Sequence, residues 1–268
     1  AGETWTKVFT NFYAIDMEFH PTNSNIVYAT NGEANYVRIL KSTDNGASFT
    51  EMDYVTGSVR GEIAVTPADP DRVYVLIANS NGGLKGIYKS TDAGETFTQE
   101  FDGNTTNGSL LGYYSNGSGD NEGQGSYDLC IAASPTNADE VFIGGVNTWK
   151  STSAGSNWGI SNVWTAGTYY NPNYAPVAHA DKHVLKYRPS DGALFEGNDG
   201  GIYKSTNNGS SWQDLSSGLR ITQIYRLGVS ATNQNMVIIG NQDNGSKLIN
   251  GTNWSDVTGG DGMECLID

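Results

Sequence analysis

Two of the chain's three histidines flank an aspartate, in His179-Ala-Asp181-Lys-His183. In a strand, alternate residues point to one side, so His179, Asp181 and His183 would share a face. Histidine and carboxylate are ordinary metal ligands. In an extended chain, however, residues four apart lie about 13 Å from each other, at ~3.3 Å per residue. An ion with ligand bonds of about 2.1 Å then takes one histidine and not both. The first expectation is a hydrogen-bonded Asp–His pair at the mouth of a strand, ahead of a metal or ligand site and of catalysis. Three aspartates in glycine settings form a second set: Gly197-Asn-Asp199-Gly-Gly201, Gln242-Asp243-Asn-Gly245 and Gly259-Gly-Asp261-Gly262. Turn chemistry explains such sequences. Gathered near one opening, the same carboxylates would hold Ca²⁺ through oxygen or act as an acid–base pair. The third set is Trp164, Tyr169, Tyr170 and Tyr174, four rings in a polar stretch. They either fold back onto neighbouring strands, stack on sugar faces or anchor a protein partner. Neither a serine-nucleophile elbow nor a phosphate-binding loop occurs, and no catalytic residue is assigned.

The elements that position these residues repeat along the chain. Lys41-Ser-Thr-Asp-Asn-Gly-Ala-Ser-Phe49 is echoed by Lys89-Ser-Thr-Asp-Ala-Gly-Glu-Thr-Phe97, Lys150-Ser-Thr-Ser-Ala-Gly-Ser-Asn-Trp158 and Lys204-Ser-Thr-Asn-Asn-Gly-Ser-Ser-Trp212. The opening Ala1–Trp5 and Asn250–Trp254 match the tail of this pattern. Its aromatic recurs at 5, 49, 97, 158, 212 and 254, in steps of 42 to 61 residues. Such steps suit four-stranded propeller blades with variable loops. Ser42, Asp44, Gly46 and Phe49 in the first copy correspond to Ser90, Asp92, Gly94 and Phe97 in the second. In the third they are Ser151, Gly155 and Trp158; in the fourth, Ser205, Asn207, Gly209 and Trp212. The third residue accepts backbone N–H bonds within a turn, the glycine allows positive φ, and the ring buries between blades. Ser153 and Asn207 stand where a carboxylate stands in the other copies, which fits a structural role.

These boxes resemble the Asp-box, or BNR, repeats of sialidases, sortilin-type Vps10 domains and xyloglucanase-like propellers. The resemblance covers nearly the whole chain and implies an all-β propeller of four-stranded antiparallel blades, with the box between strands three and four. A sialidase would need an arginine cluster. The chain has only Arg38, Arg60, Arg72, Arg188, Arg220 and Arg226, and Arg38-Ile39-Leu40 is a poor match to the sialidase Arg-Ile-Pro signature. A xyloglucanase-like hydrolase would need two carboxylates across a cleft, usually from two propellers.

Alternation and turn signals place blades at 13–54, 60–101, 127–164, 177–217 and 222–258, each within one propeller segment. Residues 3–9 read as the outer strand of a preceding blade, and 263–268 as the start of a further one. The expectation is therefore a segment of a longer chain, partnered by further blades. Two inserts break the period, 102–126 and 159–178. Strand alternation puts both on the face of the strand-two-to-three turns, opposite the boxes.

Composition narrows the class. The net charge is −14, and charged residues make up only 16%. Such acidity argues against nucleic acid and anionic membrane as partners. With 34 glycines and 11% aromatics in 268 residues, the chain is neither a coiled coil nor disordered. No run of 18 apolar residues offers a membrane span. Cys130 and Cys265 map to inner strands of non-adjacent blades and are expected to stay unjoined. The sequence is read as an extracellular or cell-surface propeller that binds a glycan or protein through its insert-bearing face. Part of a glycoside hydrolase, using Asp199, Asp243 or Asp261, is the alternative, and an adhesin-like scaffold the third. No cofactor is called for by any motif, and Ca²⁺ is the ion the acidic turns would take.

Overall fold

The computed structural model describes residues 4, 6–10, 12–32, 35–119, 121–167, 170, 175–219 and 222–267. It is all-β: among the described residues there is no α-helix, and twenty strands form five four-stranded antiparallel sheets. The first blade holds β1 (Ala14–Phe19), β2 (Val27–Asn31), β3 (Tyr36–Ser42) and β4 (Thr50–Thr56). The second holds β5 (Ser58–Val65), β6 (Val73–Asn79), β7 (Leu84–Ser90) and β8 (Thr98–Asp102). The third holds β9 (Cys130–Ala133), β10 (Val141–Gly144), β11 (Thr148–Ser151) and β12 (Gly159–Asn162). The fourth holds β13 (Lys182–Tyr187), β14 (Leu194–Asn198), β15 (Gly201–Ser205) and β16 (Gln213–Asp214). The fifth holds β17 (Ile224–Val229), β18 (Met236–Asn241), β19 (Ser246–Asn250) and β20 (Asn253–Thr258). Each sheet is a meander in which strands pair in chain order, as in a propeller blade.

The chain divides into two compact units, Ala1–Asn198 with Ile202–Leu215, and Asp199–Gly201 with Ser216–Asp268. In the first unit the leading strands lie side by side, β1 against β5, β5 against β9 and β9 against β13. The core sits between successive sheets. Tyr28 and Tyr74 are fully buried there, and each hydroxyl donates to the next blade, to Ala93 O at 2.9 Å and Ala138 O at 2.7 Å. The closing rings of the boxes fill the same seams. Phe97 packs against the cluster that holds Tyr28 and Val75, Trp158 against the one that holds Tyr74 and Ile143, and Trp212 against the one that holds Phe142 and Leu185.

All four boxes close the same turn. The serine hydroxyl accepts the glycine N–H at 2.8 to 3.0 Å, from Gly46, Gly94, Gly155 and Gly209. The third residue accepts the N–H four positions on, whether it is Asp44 (2.8 Å), Asp92 (2.9 Å), Ser153 (3.1 Å) or Asn207 (2.9 Å). The residue before each glycine also has positive φ, from 54° to 59° at Asn45, Ala93, Ala154 and Asn208, which the sequence pattern did not mark.

Two expected strands are corrected. Residues 6–9 and Met263–Ile267 form no strand among the described residues. A strand needs a ladder, and residues 259–265 instead fold back within the second unit. Gly245 N–H donates to Gly260 O at 2.7 Å and Gly262 N–H to Asn241 O at 2.8 Å. Cys130 and Cys265 are both free and buried.

Candidate functional site

The entrance of the leading strands is irregular in four of the five blades. The β1–β2 register shifts between Ala14 and Asp16, β5–β6 between Ser58 and Arg60, β13–β14 between Lys182 and Val184, and β17–β18 between Ile224 and Arg226. Such bulges re-aim side chains at a strand mouth. They also correct the reading of His179, Asp181 and His183 as one face of a strand. β13 starts only at Lys182, Asp181 has φ 62°, and His183 occupies the bulge. The three side chains go to different places. His183 meets the ring of Tyr127 edge-on, with centroids 4.8 Å apart. His179 Nδ1 lies 3.4 Å from Ala180 O, and the His179 carbonyl accepts Lys182 Nζ at 2.6 Å. Asp181 Oδ1 accepts Gln124 Nε2 at 3.0 Å, from the end of the first insert.

The second neighbour of Asp181 is Asp128, just before β9. The Asp128 side chain is wholly buried, and neither carboxylate oxygen has a hydrogen-bond partner among the described residues. Burial, then the charge of Asp181, raises its pKa to about 8. Lys182 is also wholly buried, but its ammonium is spent on carbonyls, Val146 O at 2.9 Å and His179 O at 2.6 Å. Burial lowers its pKa against the opposing pull of Glu196 and Asp181. Glu196, buried as well, is fully supplied by Thr148 Oγ1 (2.6 Å), Asn162 Nδ2 (2.8 Å) and Asn198 Nδ2 (3.0 Å). Nearby, burial raises the Glu62 carboxyl to about 7, opposed by Arg60 and reinforced by Asp16. Arg60 holds Glu62 at 2.8 Å and also donates to Tyr127 O at 2.8 Å, which ties the end of the first insert to β5.

The two inserts meet, as the strand alternation predicts, on the face of the strand-two-to-three turns. Gly123 N–H donates to Asn81 O at 3.4 Å and Gly125 N–H to Gly82 O at 2.8 Å. Asn147, in the β10–β11 turn, joins both inserts. Its Nδ2 donates to Gly112 O (3.0 Å) and Tyr113 O (3.2 Å), and its Oδ1 accepts Trp164 N–H (3.1 Å). Over this clamp the rings form a shelf. Trp164 lies 5.1 Å from Tyr170 and 6.4 Å from Tyr113, and Tyr170 lies 5.3 Å from Tyr114. Trp164 Nε1 is fixed on Tyr113 O at 3.1 Å, while Tyr113 stays 45% exposed. A cleft of about 150 Å³ beside it is lined by Tyr113, Tyr114, Ser118 and Glu122. Trp164 and Tyr170, both singled out in the sequence, lie ring to ring here. The sequence reading missed Asn147 as their clamp, since one asparagine among many carries no local signal. Tyr169 and Tyr174 lie outside the described residues.

In the second unit, Asp199 and Asp243 bring carboxylate oxygens within 4.8 Å of each other. Asp243 N–H donates to Asp261 Oδ1 at 3.0 Å. Tyr225 takes up the effect: burial first, then Asp261, Asp243 and Asp199, raise its pKa. The three glycine-set aspartates therefore do gather, with Asp261 exposed and the other two half-buried.

No family model matches the chain. A xyloglucanase of Hypocrea jecorina (strain QM6a) is 27% identical over 250 residues, an alignment that takes in 80% of this chain and 29% of that protein. Among solved structures, a GH74 enzyme of Niastella koreensis superposes with a TM-score of 0.53 at 20% identity, over 90% of this chain and 38% of that one. The GH74 xyloglucanase of Xanthomonas campestris gives 0.51 at 15% identity, over 94% and 39%. The chain thus spans less than a third of its curated relative and under two fifths of these structures. No helix of the described residues is long and apolar enough to cross a membrane. Five meander sheets, together with these superpositions, establish the β-propeller fold.

Proposed function

We propose that this chain is part of an extracellular glycoside hydrolase of the xyloglucanase type, and that its insert-bearing face holds the glucan chain. The observation that carries the reading is the ring shelf of Tyr113, Trp164 and Tyr170. Aromatic faces at an exposed cleft are the usual means of gripping the apolar faces of sugar rings, and loops on a rigid scaffold are where binding residues concentrate. The sequence similarity to a xyloglucanase supports a glucan as the substrate class.

The carboxylates for hydrolysis belong to the exposed set. Asp128 and Asp181 touch each other, whereas hydrolytic pairs stand about 5–5.5 Å or about 6.5–9.5 Å apart. Asp128 is moreover sealed from any sugar. Asp199, Asp243 and Asp261 are accessible, and Asp261 is the acid whose loss is expected to stop bond cleavage.

Further blades of the same protein are part of this proposal. Ile63 of β5 is 3% exposed against the preceding sheet, while Phe19 and Met17 of β1 are 57% and 59% exposed. Apolar sheet faces of that kind are covered in a finished protein.

Calorimetric titration with xyloglucan oligosaccharides tests the shelf. Trp164→Ala is expected to weaken binding about tenfold or more without moving the melting midpoint. Equal affinity in both proteins removes the shelf from the site. Release of reducing ends by the full-length protein tests hydrolysis. If Asp261→Asn leaves it unchanged, the cleaving acid lies elsewhere and a purely binding role for this face gains.

A further inference from the structure

We infer that Asp128 and Asp181 form a binding site for a hard divalent cation, Ca²⁺, at the mouth of β9 and β13. The argument begins with Asp128. Its side chain is 0% exposed, and both oxygens lack a hydrogen-bond partner among the described residues. An unmet buried carboxylate is strongly destabilising unless something positive lies against it. The obvious local cation does not serve. Lys182 Nζ is turned onto the carbonyls of Val146, Ala178 and His179 at 2.9, 3.5 and 2.6 Å. The Arg60 guanidinium is likewise committed, to Glu62 and to the carbonyls of Ser126, Tyr127 and Leu129.

The surroundings call for positive charge. Asp128, Asp181 and Glu196 act on the one ammonium of Lys182. Glu196 already has its three donors, so the unmet carboxylate is that of Asp128. A proton shared between the two carboxyls would satisfy one Asp128 oxygen and leave the other bare. A Ca²⁺ ion bound bidentately by Asp128 satisfies both, and takes a further oxygen from Asp181. Asp181 is 8% exposed, so an ion reaches the pair from its side. Its φ of 62° is a conformation few non-glycine residues adopt, and its side chain interacts directly with that of Asp128. The site is independent of the sugar shelf and stands whether or not the chain helps to cleave a glycan.

Ca²⁺ titration of the metal-stripped protein near pH 7.5 tests the inference. One ion per chain is expected, with a higher melting midpoint in Ca²⁺ than in chelator. Asp128→Asn and Asp181→Asn are each expected to lower Ca²⁺ affinity at least about tenfold. Asp191→Asn, at an exposed turn on the opposite face, is expected to leave it unchanged. Tb³⁺ provides a readout in the unaltered protein. Tyr127 adjoins Asp128 in sequence, so tyrosine-sensitised Tb³⁺ luminescence that Ca²⁺ displaces is expected, even if a variant fails to fold. Absence of both Ca²⁺ binding and Tb³⁺ luminescence overturns the inference. So does Ca²⁺ binding that survives Asp128→Asn, or a melting midpoint that Asp128→Asn raises while Ca²⁺ has no effect, the signature of a shared proton.

Discussion

Aspartates in two regions of this protein show opposite physics. In the box turns, Asp44 accepts from Ser42 Oγ (2.7 Å), Ser48 N–H (2.8 Å) and Ser48 Oγ (2.6 Å). Asp92 accepts the equivalent three bonds. Those donors hold both carboxyls at about 2, well below the ordinary range. At the mouth of β9, Asp128 receives no such bond and is driven up to about 8. The box acids are exposed, repeated and satisfied; the strand-mouth acid is buried, single and unsatisfied. Satisfied acids build the fold. The unsatisfied one marks a place where an ionisable group is buried at a cost, and such places cluster at functional sites.

The largest expected effect concerns that strand mouth. A carboxyl whose folded pKa is raised binds a proton in the folded state that the unfolded chain has lost. Metal-free stability should therefore fall as pH rises from about 4, the ordinary value, toward about 8, by at most ~1.4 kcal/mol per pH unit for one group. Glu62, at about 7, adds a slope of the same sign over a narrower window. Urea unfolding at a series of pH values measures the sum. Asp128→Asn is expected to flatten the curve to the Glu62 part. An unchanged slope in that variant breaks the contrast between the two regions.

A second test separates packing from conformation inside the boxes. Gly94 and Gly46 have nearly the same φ, 80° and 82°. A Cβ on Gly94 would stand 2.6 Å from Cε1 of the buried Tyr28 ring, whereas one on Gly46 would meet nothing within 4 Å. Gly46→Ala is expected to cost about 1 kcal/mol, for the left-handed backbone alone. Gly94→Ala adds an overpacking cost of about 1–3 kcal/mol. Equal losses would mean that the Tyr28 ring moves freely, contrary to the hydroxyl bond that pins it to Ala93 O.

The same contrast explains what could be read in the sequence. The blades were legible because box spacing and strand alternation are local. Each expected blade range holds four paired strands, from 14–56 within or beside 13–54 to 224–258 within 222–258. Asp181 and the glycine-set aspartates were legible by type. Asp128 was not, because it falls at the start of the 127–164 blade, where nothing in its neighbours sets it apart. Its burial depends on Asp181 and Lys182, far along the chain, and on how the adjoining first insert folds, which no local pattern in 127–132 reports. The one-sided histidine set failed for a similar reason. A bulge and a left-handed residue interrupt the alternation at the one place where sequence patterning assumes it continues.

The smallest expected effect falls on Asp92. The fourth box already carries the replacement: Asn207 Oδ1 accepts Ser205 Oγ at 3.0 Å and Ser211 N–H at 2.9 Å, and its Nδ2 donates to Ser211 Oγ at 2.9 Å. In the second box Thr96 Oγ1 donates to Asp92 Oδ2 at 2.6 Å, and a hydroxyl can turn to accept from an amide instead. Asp92→Asn therefore loses only the charge assistance of exposed bonds, and at pH 7 its melting midpoint should stay within about 1–2 °C of the parent. The acid limb gives the sign. A carboxyl lowered to about 2 contributes stability above its ordinary value near 3.9, and that contribution is lost as pH falls through about 2. The small difference between parent and Asp92→Asn should accordingly be present at neutral pH and vanish near pH 2. Thermal scans of the two proteins from pH 7 down to 2 measure it. A loss at pH 7 as large as that of Gly94→Ala would show that the box carboxylate is not interchangeable with an amide, and the division between satisfied and unsatisfied aspartates would have to be redrawn.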